Sequence, residues 1–156
     1  MQLTFTQAEF SWDASYTVRN ADGDAVFQVE GTDGPCLRIL SADGTPIGEV
    51  KKHKFLWSEK IEMHAGKQYI GSVRQEYTFR GPRFIADSTD WSLKGSVLVS
   101  RHYKIWSEIT KEVASVVRTD GVYTVEIKDP IDALRSVMLV IALDAYLAEN
   151  ERKRRG

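Results

Sequence analysis

The stretch "SVMLVIALDAYLA", residues 136–148, constrains the fold more than any other part of this chain. It is the most apolar segment of an otherwise polar sequence, and it lies behind a helix-start signature. Asp129 suits an N-cap, Pro130 suits the first helical position, and Asp132 falls where a carboxylate can answer unpaired amides. Ala, Leu, Met and Glu then favour helix, and Arg152, Lys153, Arg154 and Arg155 place positive charge at the negative end of the dipole. The expected helix covers about residues 130–150, or about 30 Å at 1.5 Å per residue.

A spanning helix needs about 20 mostly apolar residues. Here the uncharged run begins at Ser136 and is ended by Asp144, with Arg135 just before it. An interfacial helix needs one charged face, yet residues 137–143 are apolar on every side. A helix apolar all round and too short to span is a buried helix. Burying Val137, Met138, Leu139, Val140, Ile141 and Leu143 at about 1.5–3 kcal/mol each is worth on the order of 10 kcal/mol before entropy.

What surrounds it must be β structure. From residue 2 to about residue 128 the chain is short runs of Val, Ile, Phe, Tyr, Trp and Thr, broken by Gly, Asp and Asn. "SYTVRN" and "AVFQVEG" alternate apolar with polar, as do "CLRILS", "PIGEVKKHK" and "SEKIEMH". "QYIGSVRQEYTF", "RFIADS", "WSLKGSV", "YKIWSEI", "KEVASVVRT" and "VYTVEIK" continue the pattern. The N-terminal "MQLTFTQAEFSWD" also alternates and reads as a strand, not as a signal peptide. Gly23, Gly44 and Gly66 recur at nearly equal spacing between strand-like runs, and the Asp-Gly pairs at 22–23, 43–44 and 120–121 suit tight hairpin turns. About twelve antiparallel strands around one apolar helix imply a mainly β fold, a barrel plugged along its axis. No break divides the chain, so one domain is expected over residues 1–156.

The order of these elements resembles the LURP-one-related family. The resemblance rests on "YTVRNADGDAVFQVEG", "LRILSADGTPIGEVKKHKFLW" and the closing "DPIDALRSVMLVIALDAYLA", and it spans essentially the whole chain. That family lies in the tubby C-terminal-like superfamily, which includes the phospholipid scramblases. The resemblance implies a twelve-stranded antiparallel barrel enclosing a hydrophobic C-terminal helix. For function it implies an intracellular binding or scaffold protein, with anionic phospholipid or a protein as partner. The cysteine-rich palmitoylation segment of the scramblases has no counterpart.

Composition narrows the function. A formal net charge of -1 argues against a nucleic-acid coat. A single cysteine, Cys36, forms no intramolecular disulfide, and a reducing, cytoplasmic setting is expected, with peripheral membrane contact where a basic patch meets lipid. His53, His64 and His102 lack metal-ligand spacing, and no nucleophile, phosphate-loop or zinc-helix motif is present. No catalytic residue, cofactor or metal is therefore expected. Lys51, Lys52 and Lys54 in "KKHKFLW", with Arg80 and Arg83 in "RGPRF", are candidate contacts for an anionic headgroup. Strand alternation separates Lys51 from Lys52 and Lys54, and a solvated strand end is the plainer reading. Asp144 interrupts the buried helix, and a buried carboxylate must be paired or protonated. A structural role is expected, with hydrogen bonds to a barrel side chain or backbone that fix the helix register. The competing readings are an enzyme with an unrecognised site at the barrel mouth and a structural or assembly component.

Overall fold

Alternation along each apolar run sets the strands, and a computed structural model shows how they combine. It describes residues 1–55, 58–78, 81–86, 91–97, 100–107 and 111–155, with backbone alone at 55, 58, 75–78, 81–86 and 153–155. The first five strands are β1 (Gln2–Thr6), β2 (Ser15–Asn20), β3 (Ala25–Gly31), β4 (Cys36–Ser41) and β5 (Pro46–Phe55). Then come β6 (Ser58–Ala65), β7 (Gln68–Thr78), β8 (Gly81–Ala86) and β9 (Ser92–Ser96). The series ends with β10 (His102–Trp106), β11 (Glu112–Thr119) and β12 (Val122–Ile127). The buried positions alternate as the sequence implies: Leu3 and Phe5 on β1, Phe27 and Val29 on β3, Ile61 and Met63 on β6, Tyr123 and Val125 on β12.

Among the described residues the twelve strands form one antiparallel sheet in the order β8-β7-β6-β5-β4-β3-β2-β1-β12-β11-β10-β9. Nearly every neighbour is a hairpin partner. The exception is β1 with β12, where Thr4 faces Thr124 and Phe5 faces Tyr123, and this pairing brings the start of the chain to its end. No ladder joins β8 to β9 among the described residues, although their Cα atoms approach within 8 Å. The expected barrel is thus not closed by hydrogen bonds there. Asp120 (φ 51) and Gly121 (φ 80) both turn left-handed between β11 and β12, the geometry an Asp-Gly hairpin supplies. A Cβ at Gly121 would lie 2.8 Å from the Cα of Ala8, so the turn also lets the segment after β1 pass close by.

The last element is α1 (Ala133–Arg155), preceded by a 3-10 turn at Pro130–Asp132. The start is tighter and the end later than the sequence suggests. Asp129 does cap, but its Oδ1 accepts from the amide of Ile131 at 3.1 Å and its carbonyl from the amide of Asp132 at 2.9 Å. Those short-range bonds wind a 3-10 turn before the α-helix begins. Val137, Met138, Val140, Ile141 and Ala142 are wholly buried, and Leu139 and Leu143 nearly so. α1 lies against β5, β6 and β7 and also against β11 and β12, strands from both halves of the sheet order, so the sheet wraps the helix. Gly48 on β5 permits the close approach: a Cβ there would stand 3.0 Å from Met138 Sδ. Among the described residues no helix is long and apolar enough to cross a membrane.

Candidate functional site

Asp144 sits on α1 one residue beyond the apolar run, 8 % exposed. Three donors converge on it, one on β12 and two just outside the ends of β1 and β10. Gln7 Nε2 donates to Oδ2 at 2.7 Å, Arg101 Nη1 donates to Oδ1 at 2.7 Å, and the Tyr123 hydroxyl also donates to Oδ1. Gln7 is itself held, since the Tyr16 hydroxyl donates to its Oε1 at 2.9 Å. Phe5 stacks on both phenols, with ring centroids 5.5 Å from Tyr16 and 5.1 Å from Tyr123. The stacking helps hold both phenols in the orientation their hydrogen bonds use.

The electrostatics follow from this geometry. Burial pushes the Asp144 carboxyl above the usual aspartate range, outweighing the opposing hydrogen bonds from Tyr123 and Gln7 and the charges of Arg101 and Arg118. Burial and the Asp144 charge push Tyr16, Tyr103 and Tyr123 well above the usual phenol range, so the phenols remain protonated donors. Arg101 adopts a left-handed backbone (φ 60) just before β10, an uncommon conformation for a side-chain-bearing residue. Its side chain makes the ion pair with Asp144.

A cleft of about 320 Å³ opens beside this network. Arg101, Arg118 and Asp144 line it, with Phe10 on the segment after β1 and Ala148 and Arg152 on the C-terminal half of α1. Arg118 Nη2 donates to the carbonyl of Ala8 at 2.6 Å and more weakly to that of Gln7 at 3.4 Å. Its Nε is buried with no hydrogen-bond partner. Glu9 and Glu151 also line the cleft and are exposed.

The other basic residues named from the sequence do not gather there. Lys52 lies on the inward face of β5 with Val50 and is committed to two carboxylates, Glu59 at 2.7 Å and Glu149 at 3.0 Å. The Glu59 hydrogen bond is the main reason its ammonium is held above the usual lysine range. Glu149 also accepts from Trp12 Nε1 at 2.9 Å, tying the end of α1 to the segment before β2. Lys51 is on the opposite face of β5, across from Glu62 on β6, and Lys54 is exposed near the strand end. Arg80 and the side chain of Arg83 lie outside the described residues. His53 and His64 both flank Glu62, at 3.8 Å and 3.2 Å, a juxtaposition made by the β5–β6 register and not visible in their spacing. Among the described residues no cluster of three or more His, Cys, Asp or Glu could hold a metal ion.

Sequence reasoning found Asp144 but missed Gln7, Arg101, Arg118 and Tyr123. The one signal available was alternation: Tyr123 falls on the core face of β12 with Val125 and Ile127, where a phenol needs a partner.

The model of the family described as LURP-one-related matches residues 1–144, which takes in every strand and Asp144 itself. The uncharacterised protein YxjI of Bacillus subtilis (strain 168) is 21% identical over 100 residues, 62% of this chain and 62% of that protein. The matched stretch thus spans less than two thirds of that relative's length. The X-ray structure of a protein from Arabidopsis thaliana superposes with a TM-score of 0.63 over 92% of this chain and 90% of the other. At 17% identity that likeness speaks to the fold alone.

Proposed function

The chain belongs to the LURP-one-related family, and from that premise we propose that it is a non-catalytic binding module whose ligand site is the cleft beside Asp144. One observation carries the reading. The buried carboxylate, the group best placed for acid–base chemistry, is engaged by Gln7, Arg101 and Tyr123 at once. A carboxylate so held is a structural joint between helix and sheet, not a group waiting for a proton from substrate. The cleft beside it has the volume of a small-ligand pocket. The scaffold reads as a barrel around α1, with β8 and β9 meeting at its seam; their approach supports that closure.

An enzymatic reading draws on a single feature, the raised affinity of Asp144 for its proton in a cleft. A thermal-shift screen of metabolites separates the two. Compounds that stabilise the native chain should fail to stabilise Ala148→Trp, in which the indole fills the cleft. Equal shifts in both proteins would place binding elsewhere, and turnover of any hit would overturn the non-catalytic reading.

A further inference from the structure

The cleft's donors point to the chemical class of its ligand. Arg118 is the central observation. Its Nη2 is used on backbone carbonyls, which carry no compensating charge, and its Nε is buried without an acceptor. A guanidinium in that state lends the cleft it lines a positive charge that no ion pair among the described residues neutralises. Arg152 adds a second guanidinium, 72% exposed at the side chain and in a looser ion pair, 3.7 Å from a Glu149 oxygen that also accepts from Trp12. Arg101, by contrast, is neutralised by Asp144.

A cation is disfavoured, because the buried carboxylate is already occupied by three donors and three guanidiniums line the cleft. An apolar ligand is disfavoured, because the lining is mostly charged and offers chiefly Ala8, Phe10 and Ala148 as apolar contacts. Glu9 at the lining bounds the charge from above, since it would repel a polyanion.

We propose that this cleft is an oxyanion site that takes one compact carboxylate or phosphate group, with Arg118 as the central donor and the exposed Arg152 as a second. The proposal rests on the cleft being the ligand site. Phe10, packed edge-on against Trp12 at 4.9 Å, offers the apolar flank for the remainder of such a ligand.

The test is a nuclear magnetic resonance titration of the full chain at constant ionic strength, following the Arg118 Nε–Hε signal and the amides of Phe10 and Ala148. The probes are acetate, its neutral isostere acetamide, inorganic phosphate, and phosphatidylcholine vesicles with or without phosphatidylserine. Acetate or phosphate should shift the Arg118 signal saturably with half-saturation in roughly the millimolar range, and acetamide should not. Arg152→Ala, on an exposed side chain, should weaken binding about threefold, and Arg118→Lys, which loses the fork but keeps the charge, about tenfold. Broadening of the same signal only by vesicles that contain phosphatidylserine would assign the anion to a lipid headgroup. A response to the free anions alone would assign it to a soluble compound. Equal shifts by acetate and acetamide would overturn the oxyanion class while leaving ligand binding in place. Unchanged affinity in both arginine variants, or no saturable shift with any probe, would also overturn it, whatever the metabolite screen against Ala148→Trp returns.

Discussion

At the scale of single residues, Asp144 joins the helix to the sheet. Its three donors leave little of the carboxylate unsatisfied, so removing it strands Arg101, Tyr123 and Gln7 together. Asp144→Ala should cost about 2–4 kcal/mol in chemical unfolding, because a half-buried guanidinium loses its counter-charge. The pH dependence has a definite sign. Burial makes the folded chain hold the Asp144 proton to higher pH than the unfolded chain does. Its contribution to stability is therefore greatest below the unfolded value of about 4 and declines as pH rises through the raised folded value. Asn cannot titrate, so native protein should gain on Asp144→Asn as pH falls from 7 towards about 4.5. A gap that stays flat or moves the other way would mean the arginine charges outweigh burial. Glu149 supplies the opposite sign in the same experiment. Burial pushes it up, but the Trp12 and Lys52 hydrogen bonds outweigh that and hold it below the usual range. Its contribution is present above the unfolded value and lost as pH falls through the folded one, so the advantage over Glu149→Gln should shrink in acid.

At the scale of elements, strands and helix differ in how plainly they are written. All twelve strands and the inward choices Phe27, Val29, Ile61 and Met63 follow from alternation, because a one-residue slip would turn an entire apolar set to solvent. The 3-10 turn at Pro130–Asp132 does not follow, since a capping aspartate before proline serves either helix type and only the bonds made decide. The setting of Lys52 is not legible for a related reason. In the sequence it belongs to a basic run, whereas the β5–β6 register and the length of α1 bring it to Glu59 and Glu149. The Asp144 cluster is still less legible, because its donors lie 137, 43 and 21 residues away along the chain. The helix–sheet contact itself can be probed at Gly48. Gly48→Val forces a side chain into the space held by Met138 Sδ and the carbonyl of His64, at 3.0 and 3.2 Å from the first added carbon. It should destabilise by about 1–3 kcal/mol, and pairing it with Met138→Ala should recover part of the loss. Additive losses would mean that β5 and α1 do not share this contact.

At the scale of the whole molecule, a sheet whose order runs from β8 round to β9 wraps one apolar helix, and the polar end of that helix meets Gln7, Arg101 and Tyr123 beside a cleft. The same arrangement explains why so apolar a segment occurs in a chain with mean hydropathy of -0.32: its whole surface is spent on packing. The central claim is that residues 137–143 are the interior of the fold and not a surface that meets membrane or partner. Native-state hydrogen exchange measures this directly. Enclosure predicts that the amides of Val137 to Leu143 exchange in the slowest class, only through global unfolding, with the stability measured by denaturant. Exchange of those amides through local opening, well ahead of the amides of β1 and β12, would contradict it.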